Sequence, residues 1–247
     1  MKTFIISLKK DNDKRAVLLS QCKALNFNVQ LFDAIDGTVL DQAFMKQNVD
    51  NYPECGLTPG VIGCALSHQA IYKKMIAENL PIALILEDDA RISLRTLEVL
   101  KKLNAADNNN NRVYLLTPPE YYCPEKRFLL SANIEFYRVS AACSTAGYVL
   151  TLEAAKKLIT INTPIKWEAD SWAMFNFIHD LEIYCLIPPV IADGDIDKQA
   201  STLEYQRSLN LDERRRVRHQ LKREASHYQF RRLRRIFRKK VQREVRY

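Results

Sequence analysis

Glu87-Asp88-Asp89 follows directly on the apolar run Leu84-Ile85-Leu86, which puts three successive carboxylates at the carboxyl end of a buried strand. Ligands of open α/β sheets bind outside such strand ends. Adjacent negative charges repel one another unless a cation sits among them. An all-oxygen donor set suits Mg²⁺ or Mn²⁺, ions that also bind phosphate oxygens. A cation bridging a diphosphate there would offset the charge that develops as a nucleotide departs. A solvated acidic turn is the competing reading, and the triplet alone does not choose between them.

In Leu57-Thr58-Pro59-Gly60-Val61-Ile62-Gly63-Cys64-Ala65-Leu66-Ser67-His68, the small residues Gly60, Gly63, Cys64 and Ser67 recur at helical spacing. Glycine inside a helix costs about 1 kcal/mol relative to alanine. Something therefore approaches this backbone closely, either a neighbouring strand or a ligand. His68 stands one turn beyond Cys64 on the same face, where a packed histidine and a catalytic one both fit. Phe32-Asp33-Ala34-Ile35-Asp36-Gly37 ends a second strand with carboxylates of the kind that accept hydrogen bonds from a ribose or base. Asp-Gly is equally a turn signal. Trp167-Glu168-Ala169-Asp170-Ser171-Trp172 combines two carboxylates with two aromatics. The rings would stack on sugar faces and a carboxylate would act as general base, unless Asp170 simply caps the following helix. Asp193-Gly194-Asp195-Ile196-Asp197 is an acidic loop offering one more metal or substrate contact.

Strands and helices must carry these groups to one place. Thr3 to Leu8 reads as a buried strand, Asp13 caps a helix to about Asn26 with Val17, Leu18, Cys22 and Leu25 inward, and Asn28 to Phe32 is a second strand. Thr58 as cap and Pro59 at the first helical position open another helix, with Ile62, Leu66, Tyr72 and Ile76 on its apolar face. It ends near Asn79-Leu80-Pro81, and the apolar strand Ile82 to Leu86 follows. This alternation predicts an open, mostly parallel sheet with helices on both faces. Ser93 caps a helix to about Leu103, strands lie at Val113 to Leu116, Ile134 to Val139 and Gly147 to Leu150, and Thr151 caps a helix through Ile159. From about Asp212 the spacing predicts a basic helix with Phe230, Leu233, Phe237 and Val241 on one side.

With 247 residues the chain has room for one α/β domain and an appendage. No stretch approaches the roughly 18–20 apolar residues that cross a bilayer. The opening Met1 to Leu8 turns charged from Lys9 to Arg15, which reads as a core strand and not a secretory signal. Six cysteines without a Cys-x-x-Cys pair argue against a zinc ribbon or disulfide framework. They are expected to be buried reduced thiols of a cytosolic protein. The net charge of +8 conceals an asymmetry, because Tyr205 to Tyr247 carries 16 Lys and Arg against 4 Asp and Glu while the remainder is net −4. Two pieces follow, a domain over 1–205 and a basic helical tail over 206–247. The tail could lie on an anionic membrane, each Lys or Arg near the surface contributing on the order of 1 kcal/mol. It could instead bind nucleic acid through phosphates, the less favoured partner, or end as solvated chain. The rival reading of the whole is a non-catalytic nucleotide-binding module with a nucleic-acid-binding tail. A P-loop nucleotide site is excluded by the absence of its glycine-rich loop with a following lysine.

Together these blocks resemble glycosyltransferase family 25, the bacterial lipooligosaccharide galactosyltransferases and the related collagen galactosyltransferases. The matching residues, in family order, are Ile5-Ile6-Ser7-Leu8 with Arg15, Phe32 to Gly37, Leu57 to Gly60 with Ile62 to His68, Leu86 to Asp89, and Thr145 to Leu150 ahead of Ala154 to Leu158. The resemblance implies a GT-A-like, nucleotide-binding mixed sheet with helices on both faces. It also implies a UDP-sugar donor, usually UDP-galactose, a divalent metal (Mn²⁺ or Mg²⁺), inversion at the anomeric carbon and a lipooligosaccharide or lipopolysaccharide glycan as acceptor. By position it puts the metal on Asp89, with Glu87 and Asp195, and the nucleotide sugar against Ser7, Leu8, Arg15, Asp36, Gly60, Gly63, His68 and Asp88. The expected base is Asp170, with Glu168 second. A lipid-linked acceptor would hold the protein, through its tail, at the anionic cytoplasmic face of the inner membrane.

Overall fold

The computed structural model describes residues 1–106, 110–194, 210–225, 229 and 241–245. Among them, eleven strands and seven α-helices follow in the order β1 Lys2–Ser7, α1 Asn12–Ala24, β2 Gln30–Asp33, α2 Gln42–Asn48, α3 Pro59–Ala77, β3 Ile82–Glu87, β4 Ala90–Ile92, α4 Leu94–Ala105, β5 Arg112–Leu115, β6 Tyr121–Ser131, β7 Ile134–Ala141, β8 Gly147–Thr151, α5 Leu152–Ile161, α6 Trp172–His179, β9 Glu182–Leu186, β10 Ile191–Asp193, α7 Leu211–Glu224 and β11 Arg243–Glu244. Nine strands form one sheet ordered β11-β6-β7-β9-β5-β8-β3-β1-β2, while β10 and β4 make a separate ribbon.

Strands β1 and β3 are apolar runs buried on both faces, and β1 pairs in parallel with β2 on one side and β3 on the other. The expectation of a mostly parallel sheet holds for this portion; among the described strands β5 and β9 are also parallel. Elsewhere the ladders are antiparallel: β8 lies between β3 and β5, and β6 pairs with β7 as a hairpin. The reason is connectivity, because a hairpin reverses direction where a crossover helix would preserve it.

Side chains alternate between two cores. Ala83 and Ile85 of β3 face Ile71 and Met75 of α3, Leu158 of α5 and Trp172 of α6. Ile82, Leu84 and Leu86 face Leu18 and Cys22 of α1 and Val99 and Leu103 of α4. Helices therefore cover both faces, as expected, and the period of two sets where the residues after Leu86 point.

Helix α3 starts as its sequence demands, with Thr58 extended at the cap position and Pro59 next. Eleven of its residues are buried, so it is enclosed on nearly all sides. The close approach signalled by its glycines is made by the protein's own backbone. A Cβ on Gly63 would lie 2.4 Å from the Ile35 carbonyl oxygen, and one on Gly37 only 1.7 Å from that of Pro59. Ser67 completes the contact, accepting from the Ile35 N–H at 2.8 Å while its hydroxyl donates to the Gly63 carbonyl at 2.7 Å. The Phe32-to-Gly37 segment is thereby pinned to α3.

Other caps behave similarly. Ser93 and Thr96 form a reciprocal capping box on α4, and Thr151 accepts from the Ala154 N–H at the start of α5. Helix α1 differs, starting after Asp11 and leaving Val17 46% exposed. The cysteines are not uniformly buried either, since Cys64 is partly exposed and Cys143 exposed. No helix among the described residues is long and apolar enough to cross a membrane.

Candidate active site

The three carboxylates of residues 87–89 leave β3 in different directions. Glu87 continues the Ala83–Ile85 side and meets α3, its Oε1 lying 3.1 Å from His68 Nε2. His68 is 1% exposed. Its Nδ1 is 2.7 Å from the Tyr148 hydroxyl, which is in turn 2.7 Å from the Tyr72 hydroxyl. Burial pushes both phenols well above their ordinary pKa, so each stays neutral and serves as donor and acceptor. Trp172 packs edge-on against Tyr148 at 5.1 Å and donates its indole N–H to the Ser144 carbonyl. The two tyrosines were not among the expected site residues. Their signal was a phenol in a wholly buried strand, Tyr148, and another on a nearly enclosed helix, Tyr72, where each hydroxyl must find a partner.

Asp88 turns the other way, towards the Ser7 side chain. Burial raises its carboxyl above the ordinary value, an effect opposed by Ser7 and by Lys14. Arg15 on α1 reaches the same point, its Nη2 donating to the Ser7 carbonyl at 3.1 Å and to Asp33 Oδ1 at 3.2 Å. Ser7, Arg15 and Asp88 are therefore gathered at the carboxyl ends of β1 and β3, together with Asp33. The Ser7 hydroxyl also lies 3.3 Å from the carbonyl of the half-buried Leu8. Asp36 lies further along, where the Lys10 ammonium and then Thr38 hold its carboxyl down at about 2. It caps the single 3₁₀ turn Gly37–Val39, as the turn reading of Asp-Gly anticipated. Gly60 is half-buried in the first turn of α3.

Asp89 belongs to the tight turn between β3 and β4. Its carbonyl accepts from the Gly194 N–H at 2.8 Å and from Arg91 Nη1 at 3.1 Å, and its Oδ1 is shut off from solvent. Pairing of β10 with β4 sets Asp193 opposite Ala90 and carries Gly194 to this turn. A Cβ on Gly194 would lie 2.5 Å from the Asp89 carbonyl oxygen. Asp195 itself lies outside the described residues, as does Asp197. The donor chemistry fits a hard divalent ion, which takes one or two carboxylates and completes its shell with water and phosphate oxygens. Asp88 and Asp89 offer those carboxylates. Glu87 belongs to a different grouping, for among the described residues the one trio of donor atoms lying within 4.8 Å of one another is Cys64, His68 and Glu87.

On the far side of Trp172, the Trp167-to-Trp172 segment corrects two expectations. Both indoles are buried, Trp167 at 1% and Trp172 at 0% exposure, so neither offers a face to a sugar ring. Glu168 is engaged by arginine side chains. Its Oε1 accepts from Arg214 Nε at 2.8 Å and Arg218 Nη2 at 2.6 Å, and its Oε2 from Arg214 Nη2 at 3.0 Å and the Ser171 hydroxyl at 2.8 Å. Burial alone would raise its pKa, but the arginines outweigh burial and hold it at about 2. A carboxylate so saturated binds a proton too weakly to take one from a hydroxyl. Asp170 is half-buried in the turn ahead of α6. The helix begins later, with Ser171 at the cap position and no side-chain cap bond, so Asp170 is not there to cap it.

Arg214 is the residue that sequence spacing could not single out. It is 5% exposed, donates also to the carbonyls of Cys55 at 3.0 Å and Lys166 at 2.7 Å, and lies 5.9 Å over the Trp167 ring. Gly56, at φ +67°, admits it, since a Cβ there would stand 3.0 Å from the Arg214 nitrogen. Helix α7 is thereby clamped to the segments that lead into α3 and α6.

Residues 1–173 match the family model described as glycosyltransferase family 25 (LPS biosynthesis protein). The chain is 28% identical over 177 residues to human procollagen galactosyltransferase 2, covering 64% of this chain and 27% of that protein. It is 28% identical over 183 residues to procollagen galactosyltransferase 1-A of Xenopus laevis, covering 67% and 29%. A Haemophilus influenzae protein provisionally named a glycosyltransferase is 26% identical over 200 residues, covering 76% of this chain and 68% of its own length. The chain thus spans between a quarter and a third of the procollagen galactosyltransferases it matches, 27% of the human one. Among solved structures, the glycosyltransferase involved in glycosylation of the major capsid of PBCV-1 superposes with a TM-score of 0.41 at 7% identity, over 85% of this chain and 100% of that one. The matched residues run from β1 through Asp170 and so take in Ser7, Arg15, α3 and the carboxylates of β3; the chain belongs to glycosyltransferase family 25.

Proposed function

We propose that this glycosyltransferase is metal-dependent and inverting, and that it moves galactose from UDP-galactose to a hydroxyl of a lipooligosaccharide or lipopolysaccharide glycan. The observation that carries this reading is the gathering of Ser7, Arg15 and Asp88 at the ends of β1 and β3, beside Asp89. Asp88 and Asp89 would hold Mn²⁺ or Mg²⁺, which when bound supplies positive charge against a departing diphosphate. Arg15, fixed by Ser7 and Asp33, orients the nucleotide. Asp170 takes the proton of the acceptor hydroxyl. The acceptor oxygen then bonds to the anomeric carbon on the face opposite UDP as the bond to UDP breaks, which inverts that carbon. Positioning and electrostatics supply most of the acceleration.

A donor screen by UDP release tests the reading, run with Mn²⁺ or EDTA and with a lipooligosaccharide acceptor. UDP-galactose should be turned over in Mn²⁺ and spared in EDTA; binding of nucleotide with no turnover of any donor would instead favour the non-catalytic module. Asp170→Asn should lower turnover on the order of 10²–10⁴-fold with UDP affinity intact. Near-normal turnover removes it as the base.

The outward side of α7, where Arg215, Arg216, His219 and Arg223 line a groove, supports a second part of the proposal. It would rest on anionic lipid at the cytoplasmic face of the inner membrane, beside a lipid-linked acceptor. Salt-sensitive binding to anionic vesicles is the expected behaviour. Capture of RNA or DNA without vesicle binding would refute it.

A further inference from the structure

We propose that Cys64, His68 and Glu87 form a second cation site, suited to a borderline-soft ion such as Zn²⁺ and distinct from the hard-ion position of Asp88 and Asp89. The three side chains converge because of two regular elements. Cys64 and His68 are four residues apart on α3 and so share one face, and the end of β3 brings Glu87 to that face. Their donor atoms lie within 4.8 Å of one another, with Nε2 and Oε1 at 3.1 Å. A tetrahedral ion with bonds of about 2.0–2.3 Å sets neighbouring donors roughly 3.3–3.7 Å apart. The His68–Glu87 spacing of 3.1 Å is close to that, and the Cys64 sulfur lies within 4.8 Å of both donors.

Chemistry selects the ion. A thiolate, an imidazole and a carboxylate together are a zinc-type set, whereas Mg²⁺ and Ca²⁺ prefer oxygen alone. The histidine is also held as a metal-bound histidine is, with its far nitrogen hydrogen-bonded to a neighbour. That neighbour is the Tyr148 hydroxyl, backed by Tyr72. Both hydroxyls are neutral donors and acceptors, so the chain can run in either sense. Without an ion, Tyr148 donates to Nδ1 and Nε2–H donates to Glu87. With an ion on Nε2, Nδ1–H donates to Tyr148 and Tyr148 donates to Tyr72. The ring is satisfied in both states. Cys64 and Glu87 are partly exposed, which gives the ion an entry path and leaves a fourth position for water. On binding, the Cys64 S–H bond breaks, the sulfur–metal bond forms, and one proton passes to solvent.

The test uses the full chain, stripped with a chelator, in a Cys143→Ser background that removes the exposed thiol. Titration with Co²⁺ should give one equivalent of tetrahedral ion with a thiolate-to-cobalt charge-transfer band, displaced by Zn²⁺ with release of one proton per ion bound. Cys64→Ala, at a partly exposed position, should abolish the band with the fold kept by circular dichroism. Tyr148→Phe should weaken Zn²⁺ by about 10–100-fold. Asp89→Asn should leave the band unchanged, so this outcome is independent of whether sugar transfer proceeds as proposed above. Cobalt binding without a thiolate band, or equal Zn²⁺ affinity in Cys64→Ala, would overturn the inference.

Discussion

Replacing Asp89 with asparagine is expected to cut sugar transfer on the order of 10²–10³-fold at saturating Mn²⁺, the scale of losing one charge-stabilising group in a water-poor site. Asparagine keeps the shape of the side chain and its oxygen but removes the negative charge that would retain a divalent ion. The backbone anchors of the turn, Gly194 N–H and Arg91, bond to the Asp89 carbonyl and are unaffected by the change. The loss should therefore appear in turnover and not in the melting temperature. Steady-state turnover measured across Mn²⁺ concentrations checks this. If Asp89→Asn turns over like the wild type at saturating metal, the metal is not held there.

Arg214→Ala is expected to be the most damaging single truncation for stability. Removing one partner from a buried ion pair costs about 3–5 kcal/mol; Arg218 would still reach Glu168 Oε1, but Oε2 would keep only the Ser171 hydroxyl. Here the carbonyls of Cys55 and Lys166 lose a donor as well. For a chain of this size each kcal/mol moves the melting temperature by roughly 2–4 °C, so a fall on the order of 10 °C is expected. Arg215→Ala, whose side chain is 67% exposed, is the matched control and should change little. The same pair sets a pH dependence. Glu168 titrates at about 2 in the folded protein against an ordinary 4.5, so its stabilisation is present above about pH 4.5 and fades as the pH falls towards 2. That contribution, on the order of 3 kcal/mol, should vanish from the acid limb of the stability curve in Glu168→Gln. A melting temperature for Arg214→Ala equal to that of the control would show that the clamp holds nothing.

What could be read from the chain was what local chemistry dictates. Thr58-Pro59 opened α3, Thr151 opened α5, and the unbroken apolar run before Glu87 marked β3. Strand β6, the longest in the sheet, went unread because Pro124-Glu125-Lys126-Arg127 interrupts its alternation. The structure accommodates that stretch as a shift in register against β7 between Cys123 and Arg127. The site divides in the same way. Ser7, Arg15 and Asp88 were anticipated through the family pattern and do gather, since short parallel strands bring their ends together. The partner of Glu168 was not legible because it lies 46 residues on, inside a run of basic residues that spacing cannot tell apart. Composition reveals that such a run is charged, not which arginine is swallowed by the body.

The alternation of β3 also bears on how this region can change over time. Glu87 and Asp88 are neighbours in the chain, yet the sheet stands between their surroundings. Glu87 answers to His68 on α3, and Asp88 to Ser7 on β1. A substitution at one is compensated chiefly from its own side, the remaining link between them being the through-space repulsion of Glu87 on the Asp88 carboxyl. Their fates are tied to helices and strands distant in sequence, and each would co-vary with those partners before it co-varied with its neighbour.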